Sequence, residues 1–352
     1  MLLVGLGVTG AAVVAFLLWR NMDVGVETGP SANLAEAFAG GPTRLVYADF
    51  DDGKDLLAID LDSGETTELG ELPHSGDTHA APGSSWVSIV SPEEFDGEFR
   101  PVLYVFDVEN ERTESLGIAD DPEWSRDGSQ LAYLKPVDES QCRDDECGGA
   151  LIPVVVDMET LEETELTEAG RHDIRAWAGD YLLLENEDQV GAPVLRSVSL
   201  SGEVHDLPLD AIDLWGASPD GRFLVESGDQ GTRFHTFVDG RIEGSGPEIG
   251  IPEDTKLGGG SFSHDSGTVA ALALGESNEL EMFAFSPLDP EPRSLTTGGE
   301  VSTTDVLWSP DNDAFSFSRF DGSELEAVHC ELDGDCEELF SWTRGIALLR
   351  VE

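Results

Sequence analysis

The chain has 352 residues and is strongly acidic, with 19 Lys and Arg residues against 72 Asp and Glu residues and a formal net charge of −53. A surface of this charge repels nucleic-acid phosphates and anionic lipid headgroups, which argues against a nucleic-acid-binding protein. Apolar residues make up 39% of the chain, more than an acidic disordered protein would carry. We therefore expect a folded protein with a solvated acidic surface of the kind that halophilic proteins have.

The N-terminal segment, residues 1–20, contains an uncharged apolar run from Leu2 to Trp19. A helix of about 18 residues is about 27 Å long, enough to cross a bilayer core. We expect a transmembrane helix that serves as a retained signal anchor. A cleaved signal peptide and an internal helix are the alternatives, although the nearest small-residue cleavage pattern, Ala37-Phe38-Ala39, lies far downstream. Residues 21–42 have the composition of a linker, and residues 43–352 form the predicted folded domain.

The four cysteines bear on which side of the membrane the domain lies. Cys142 and Cys147 form one close pair, and Cys330 and Cys336 form the other. Each pair is spaced to bridge a loop, and two disulfides indicate an oxidising compartment. Arg20 follows the apolar run and favours the cytoplasm, but one charge is weak evidence. We expect a single-pass membrane protein with its domain outside the cytoplasm, or a secreted one if the segment is cleaved. A zinc site built from all four cysteines is the alternative, although neither pair has two-residue spacing.

One unit of sequence recurs seven times beyond residue 43. It consists of an alternating apolar strand, a polar turn and a short Thr/Glu-rich strand that usually ends in Leu. The copies begin at Leu56, Leu103, Val154, Leu195, Arg233, Leu280 and Leu325. Repeats of about 40 to 50 residues with four strands each are typical of a β-propeller. The count predicts seven blades, and six blades remain the alternative.

A tight-turn motif precedes most of these units. Two clear copies are Trp308-Ser309-Pro310-Asp311-Asn312 and Trp124-Ser125-Arg126-Asp127-Gly128, with relatives at 216–221 and 262–265. Pro and Asp-Gly or Asp-Asn suit such turns, so each copy predicts a strand, a turn and a second strand. The first unit lacks an innermost strand of its own, whereas the apolar C-terminal stretch 345–351 lacks a partner. We expect this C-terminal strand to complete the first blade and close the ring.

These Trp-Ser-Pro-Asp-Gly-type repeats resemble those of TolB-type propellers, which are related to WD repeats. The resemblance covers about residues 43–352 and implies an all-β fold of four-stranded antiparallel blades. Such propellers serve as scaffolds, as partner-binding modules and as gating domains of peptidases, so the resemblance says little about activity. We expect no second domain after the repeats and therefore do not expect the peptidase version.

Candidate site residues come from the repeat register. Counting back three positions from Trp124, Gly216 and Trp308 gives three aspartates at the predicted start of alternate innermost strands, namely Asp121, Asp213 and Asp305. Asp173, one position out of register, and His79 could join them. A ring of carboxylates at the channel mouth predicts a cation site, with calcium as the one possible cofactor. The alternative is that each carboxylate only binds backbone amides where its strand starts.

Two further groups of polar residues invite a chemical interpretation. Ser263-His264-Asp265 contains the residue types of a catalytic triad, but triad members converge from separate elements, so we expect a turn. His74 and His79 have a spacing that a metal could use, although two histidines alone are a weak signal. The tryptophans of the turn motifs are expected to form the core between blades.

The sequence thus predicts a membrane-anchored, extracytoplasmic propeller that acts as a non-catalytic scaffold for a protein or ligand. An acidic insertion at 136–149 is a reasonable place for a protein partner. An accessory subunit of a membrane complex is one alternative, because Gly5, Gly7 and Gly10 allow close helix packing. The other is a carbohydrate-active lyase or hydrolase that uses the channel-mouth carboxylates.

Overall fold

The structure is a computed structural model of the chain. It describes residues 44–49, 55–60, 66–82, 84–95, 97–137, 150–187, 193–209, 214–228, 231–251, 256–274, 280–289, 291–295, 300–301, 306–309, 311–321, 324–332, 336–342 and 346–351. The predicted anchor and linker, Cys142, Cys147, Asp213 and Asp305 lie outside these residues. Within them, no helix is long and apolar enough to span a membrane.

The described strands form seven antiparallel sheets, and we number these sheets as blades in chain order. The strands of blade 1 are β1 (Arg44–Asp49), β2 (Asp55–Asp60) and β3 (Thr66–Glu71). Those of blade 2 are β4 (Asp77–Ala80), β5 (Trp86–Phe95), β6 (Glu98–Asp107) and β7 (Arg112–Ile118). Those of blade 3 are β8 (Asp120–Trp124), β9 (Gln130–Pro136), β10 (Leu151–Asp157) and β11 (Glu163–Glu165). Those of blade 4 are β12 (His172–Ala178), β13 (Tyr181–Glu187), β14 (Pro193–Ser199) and β15 (Val204–Asp206).

The remaining blades follow the same plan. Blade 5 contains β16 (Leu214–Ala217), β17 (Phe223–Gly228), β18 (Gly231–Val238) and β19 (Arg241–Ile249). Blade 6 contains β20 (Lys256–Phe262), β21 (Val269–Leu274), β22 (Leu280–Phe285) and β23 (Arg293–Leu295). Blade 7 contains β24 (Glu300–Val301), β25 (Leu307–Trp308), β26 (Ala314–Asp321), β27 (Glu324–Glu331) and β28 (Cys336–Trp342), and β29 (Ile346–Val351) is the last strand. The short strands β24 and β25 both pair with β26 and share the innermost position.

Ring closure follows the prediction. β29 pairs with β1, and the order of the first sheet is β29-β1-β2-β3. The C-terminal strand therefore takes the innermost place in the blade that the N-terminal strands begin. Seven blades and their closure are confirmed within the described residues, and the six-bladed alternative is wrong because each of the seven repeats forms its own sheet.

The hydrophobic core lies between blades. The middle strands β9 and β10 are mostly buried because each blade packs on a neighbouring blade. Their sequences are therefore apolar runs, whereas a strand with one exposed face would alternate apolar and polar residues. One cluster joins Met282 of blade 6 to Trp308, Phe315 and Phe317 of blade 7. Burial of this kind supplies most of the stability of a sheet protein.

The two faces of the ring differ in their connections. In blades 2 to 7 the innermost strand turns into the second strand at one face, which we call the hairpin face. Four consecutive innermost strands, β8, β12, β16 and β20, also carry a register shift against their neighbour strand before they reach the hairpin face. Such bulges insert extra residues and redirect side chains. They are central to the site described below.

Candidate functional site

A Ser-x-Asp turn occurs four times on the hairpin face. In the copy at Ser263, the hydroxyl donates to Asp265 Oδ1 over 2.6 Å and accepts from the Thr268 amide over 2.9 Å. The carboxylate in turn accepts from the Gly267 amide over 2.8 Å. Equivalent serine–aspartate bonds begin at Ser125, Ser218 and Ser309.

The predicted turn at Ser263-His264-Asp265 is therefore confirmed, and the triad interpretation is wrong. The Ser263 hydroxyl bonds Asp265 directly, while His264 points away and its Nε2 lies 3.3 Å from the carbonyl of Trp308. Hydrogen bonds from the Ser263 hydroxyl and the Gly267 amide lower the pKa of Asp265. Ser263 and Asp265 stabilise a turn, and the three side chains do not form a proton relay.

The three motif tryptophans connect neighbouring blades. They are buried, with exposed fractions of 8% for Trp124, 8% for Trp177 and 3% for Trp308. The indole N–H of Trp124 donates to the carbonyl of His79 over 3.1 Å, and that of Trp308 lies 3.3 Å from the carbonyl of Ser261. Each acceptor belongs to the innermost strand of the preceding blade. The prediction that these tryptophans form inter-blade core is confirmed.

A cavity of about 960 Å³ lies at the hairpin-face end of the central channel. Its aromatic wall contains Trp124, Trp177, Trp215, Phe262 and Trp308. The charged and titratable lining residues are Glu109, Glu123, Arg126, Arg175 and His264. A concave site of this size that combines an aromatic wall with polar groups has the character of a ligand pocket.

Two of the lining residues come from the bulges. In β12 the register shifts between Ile174 and Ala176, which leaves Arg175 as the extra residue. In β16 the register shifts between Leu214 and Gly216, which leaves Trp215 as the extra residue. Both therefore project from the ladder toward the cavity. This is the reason why an arginine and a fourth tryptophan enter a wall that the turn motifs alone do not predict.

Gly260 leaves room for the Trp215 indole to lie against the next blade. A Cβ atom at position 260 would lie 2.9 Å from Trp215 Cζ2 and 2.2 Å from the carbonyl oxygen of Ala270. Gly260 also has a φ of +141°, which L side chains rarely adopt. Only glycine fits here, and its presence lets the indole lie across the wall of the channel.

Arg126 closes part of the cavity mouth. Its Nη2 donates to the carbonyl of His264 over 2.5 Å. Arg126 belongs to the turn of blade 3 and His264 to the turn of blade 6, so this bond crosses the channel. We call it the cross-channel bond.

The predicted carboxylate ring lies at the opposite end of the channel and is described only in part. Asp121 Oδ2 accepts from the Ile174 amide over 2.8 Å, and Asp121 also shares a side-chain hydrogen bond with Asp173. The structure thus brings Asp121 and Asp173 together across blades 3 and 4. The exposed His79 is not joined to them, and its carbonyl is used by Trp124.

The repeat alignment that predicted the carboxylate ring needs one correction. Ser125 and Ser218 occupy the same place in their turns, because each accepts the same pattern of amide bonds. The residue equivalent to Trp124 is therefore Ala217, and the alignment of Gly216 with Trp124 is wrong by one position. By sequence position Asp213 then corresponds to Asp173. The cause is that the motif at 216–221 has two residues before its serine, whereas the motif at 124–128 has one.

The electrostatics of Asp121 follow from its surroundings. Burial raises its pKa to about 7, and the neighbouring Asp173 carboxylate adds to the rise, while the bond from the Ile174 amide opposes it. Asp121 also has a φ of +57°, a conformation that Asp and Asn tolerate better than most residues.

Metal chemistry receives no support from the described residues. They contain no group of three or more His, Cys, Asp or Glu side chains placed to hold a metal ion. His74 stacks on Tyr104 with ring centroids 3.7 Å apart. The calcium site stays a prediction, since two of its proposed ligands, Asp213 and Asp305, are not among the described residues.

The second cysteine pair forms the expected bridge. Cys330 and Cys336 are directly opposite each other in β27 and β28 and are joined by a disulfide. A zinc site that uses all four cysteines is therefore wrong, because two of the sulfur atoms are bonded to each other. The bridge expected between Cys142 and Cys147 stays a prediction.

Comparison with known proteins was made at three levels. No protein-family model matches the chain, and no curated protein matches it. Among solved structures, TolB from Acinetobacter baumannii matches with 13% identity and a TM-score of 0.50, over 88% of this chain and 67% of that one. These likenesses show the fold.

Two protease structures share it. The propeller domain of the trilobed protease from Pyrococcus furiosus matches with 13% identity and a TM-score of 0.54, over 75% of this chain and 84% of that one. A structure from a study of two prolyl endopeptidases matches with 14% identity and a TM-score of 0.60, over 90% of this chain. This chain spans 51% of that endopeptidase. The Pyrococcus furiosus domain is described as having an open velcro topology, whereas β29 closes blade 1 here.

Proposed function

We propose that this protein is a membrane-anchored, extracytoplasmic propeller that acts as a non-catalytic binding module, with the hairpin-face cavity as its binding site. The observation that carries the proposal is the pair of bulges that direct Arg175 and Trp215 into the cavity. Bulges are common next to binding and active sites, because they aim a side chain away from the regular ladder.

The chemistry of the cavity favours binding over catalysis. The serine and aspartate side chains of the surrounding turns are used in turn hydrogen bonds, as at Ser263 and Asp265. The indole N–H groups of Trp124, Trp177 and Trp308 donate to backbone carbonyls. The aromatic part of the wall therefore presents ring faces, which suit recognition of an apolar group.

The position of the N-terminal connection favours a partner at the membrane. β1 begins beside the C-terminal end of β29, where Leu45 pairs with Val351, at the hairpin face. If residues 21–42 serve as the expected linker, a chain of that length has a root-mean-square end-to-end distance of about 25 Å. In an anchored protein the cavity would then lie near the bilayer. This geometry also supports the second candidate, an accessory subunit that binds a membrane complex.

Site-specific photo-crosslinking tests the proposal. The photoreactive residue p-benzoylphenylalanine would replace Trp215 in the cavity or, as a control, Leu288, which is 90% exposed on the outer part of blade 6. In native membranes, at the salt concentration of the growth medium, we expect position 215 to give a defined crosslinked adduct that position 288 does not give. The identified partner, once purified, should bind the Trp215→Ala variant at least about tenfold more weakly. Identical adducts from both positions, or unchanged affinity, would contradict the proposal.

A further inference from the structure

We infer that the cavity takes a ligand with an anionic group on an apolar body, and that Arg126 binds the anion. The inference rests on the proposed function, because it specifies what that same cavity recognises. Its starting point is an arginine whose surroundings differ from those of most described arginines.

Arg126 forms no ion pair with a carboxylate among the described residues, although its charge contributes to the lowered pKa of Asp265. Among the described residues no Asp or Glu oxygen lies within 4 Å of its guanidinium, although the chain carries 72 acidic residues. Arg100, Arg112 and Arg222, by contrast, each pair with a nearby Glu or Asp. The one hydrogen bond that Arg126 makes goes to the neutral carbonyl of His264.

A guanidinium has five donors, and the cross-channel bond uses one of them. A carboxylate or other anion forms shorter and stronger bonds to arginine than a neutral carbonyl does, and it can accept two donors at once. An anionic ligand group can therefore replace the His264 carbonyl. Opening of the cavity mouth and binding of the anion are then the same event.

Arg175 does not compete for this role. Its Nη2 bonds Glu185 and lies 3.5 Å from Asp173 Oδ2, so its charge is already balanced by two carboxylates. Its Nε is buried without a hydrogen-bond partner among the described residues. The charge of Arg175 is therefore already compensated, whereas Arg126 at the mouth forms no ion pair among the described residues and has only a longer-range interaction with Asp265.

The rest of the lining sets where the anion can lie. Glu109 and Glu123 are also lining residues and repel an anion that enters their part of the cavity. The apolar part of the ligand faces the aromatic wall, where Trp215 lies against Gly260. The ligand therefore has its charged group at the mouth and its apolar body inside.

Two matched dyes separate the contributions. The probes are 8-anilinonaphthalene-1-sulfonate, which is anionic, and N-phenyl-1-naphthylamine, which has the same ring system without the sulfonate. Fluorescence titrations in molar salt would compare the wild-type protein, Arg126→Gln, Trp215→Ala and the control Arg112→Gln. Arg112 is an exposed arginine paired with Glu114 on β7, so its substitution makes the same change in net charge away from the channel.

We expect Arg126→Gln to weaken binding of the sulfonate dye by about tenfold or more, because a charge-assisted contact is lost. The neutral dye should bind this variant within about twofold of wild type, which also shows that the variant is folded. Arg112→Gln should leave both affinities unchanged. Equal weakening by the two arginine substitutions, or no weakening by Arg126→Gln, would overturn the inference.

The neutral dye tests the proposed function separately. If it binds and Trp215→Ala weakens it, the cavity is a binding site whatever the result for the sulfonate. If it does not bind, or if Trp215→Ala has no effect, the proposed function fails and the inference fails with it.

Discussion

The indole Nε1 of Trp177 donates a hydrogen bond to the carbonyl oxygen of Glu123 over 2.9 Å. Trp177 closes the innermost strand of blade 4, and Glu123 belongs to the innermost strand of blade 3. Trp124 and Trp308 make the same contact to the blade that precedes each of them. The tryptophan of the repeat motif therefore has a second role besides filling space: it fixes the angle between adjacent blades around the cavity.

Loss of this bond should reduce stability without changing the fold. We expect Trp177→Phe to lower the free energy of unfolding by about 1 to 2 kcal/mol, because the Glu123 carbonyl loses its partner in a buried setting. Urea denaturation in molar salt measures the change. Trp86→Phe is the control, since the Trp86 indole makes no hydrogen bond within the described residues; a loss as large there would show that packing alone is responsible.

The Asp121–Asp173 contact predicts an unusual pH dependence. The folded-state pKa of Asp121, about 7, lies above its unfolded value, so the folded state binds more protons and Asp121 reduces stability as the pH rises from about 4 to 7. Asp121→Asn should remove this loss, and at pH 8 the variant should be more stable than wild type by about 1 to 2 kcal/mol.

The comparison must be made as a difference between variant and wild type. Burial lowers the pKa of His329 to about 4, and this group makes the protein gain stability as the pH rises from about 4 to 6.5. Its contribution cancels in the difference between the two proteins. A difference in unfolding free energy that stays constant from pH 4 to pH 8 would contradict the assignment to Asp121.

The Ser-x-Asp turns predict acid sensitivity. The pKa of Asp265 and that of Asp311 are lowered, in each case first by the hydroxyl of the serine two residues earlier. Their stabilisation is present above the ordinary Asp pKa and is lost as the pH falls through the lowered folded-state value. Ser263→Ala should cost about 1 to 2 kcal/mol at pH 7, measured by urea denaturation, and less at pH 2. Equal costs at both pH values would show that the carboxylate bond is unimportant.

The bridge between Cys330 and Cys336 closes a short loop, with a sequence separation of 6. Replacing both cysteines with alanine should lower the free energy of unfolding by about 2 kcal/mol in the chain-entropy account. Urea midpoints measure the change. If a reducing agent lowers the midpoint of this double variant further, the second pair, Cys142 and Cys147, is bridged as well. An unchanged midpoint on the double substitution would contradict the stabilising role.

The sequence was informative wherever a residue acts through local geometry. The Ser-Pro-Asp-Gly pattern requires only neighbouring residues to form its turn, and the seven units with one spare strand at Ile346–Val351 specify both the ring and its closure. Trp124, Trp177 and Trp308 were predictable as inter-blade core because they recur at the same point of the repeat.

The site was less predictable because it depends on bulges and on contacts across the ring. Arg175 and Trp215 are cavity residues only because an extra residue interrupts β12 and β16. A comparison of the repeats does not reveal the extra residue, because β8, β12, β16 and β20 each carry one. The hydrogen bond between Arg126 and His264 joins positions 138 residues apart, and no local sequence pattern predicts it.

The most direct test of the central claim is fluorine NMR on protein labelled with 5-fluorotryptophan and titrated with N-phenyl-1-naphthylamine. Four tryptophans line the cavity: Trp124, Trp177, Trp215 and Trp308. We predict that their resonances, assigned by single Trp→Phe variants, shift in a saturable way, with Trp215 most affected, while Trp86 on the second strand of blade 2 does not move. A saturable shift of Trp86 without the cavity resonances, or no shift at any of the four, would contradict a binding site at the hairpin face.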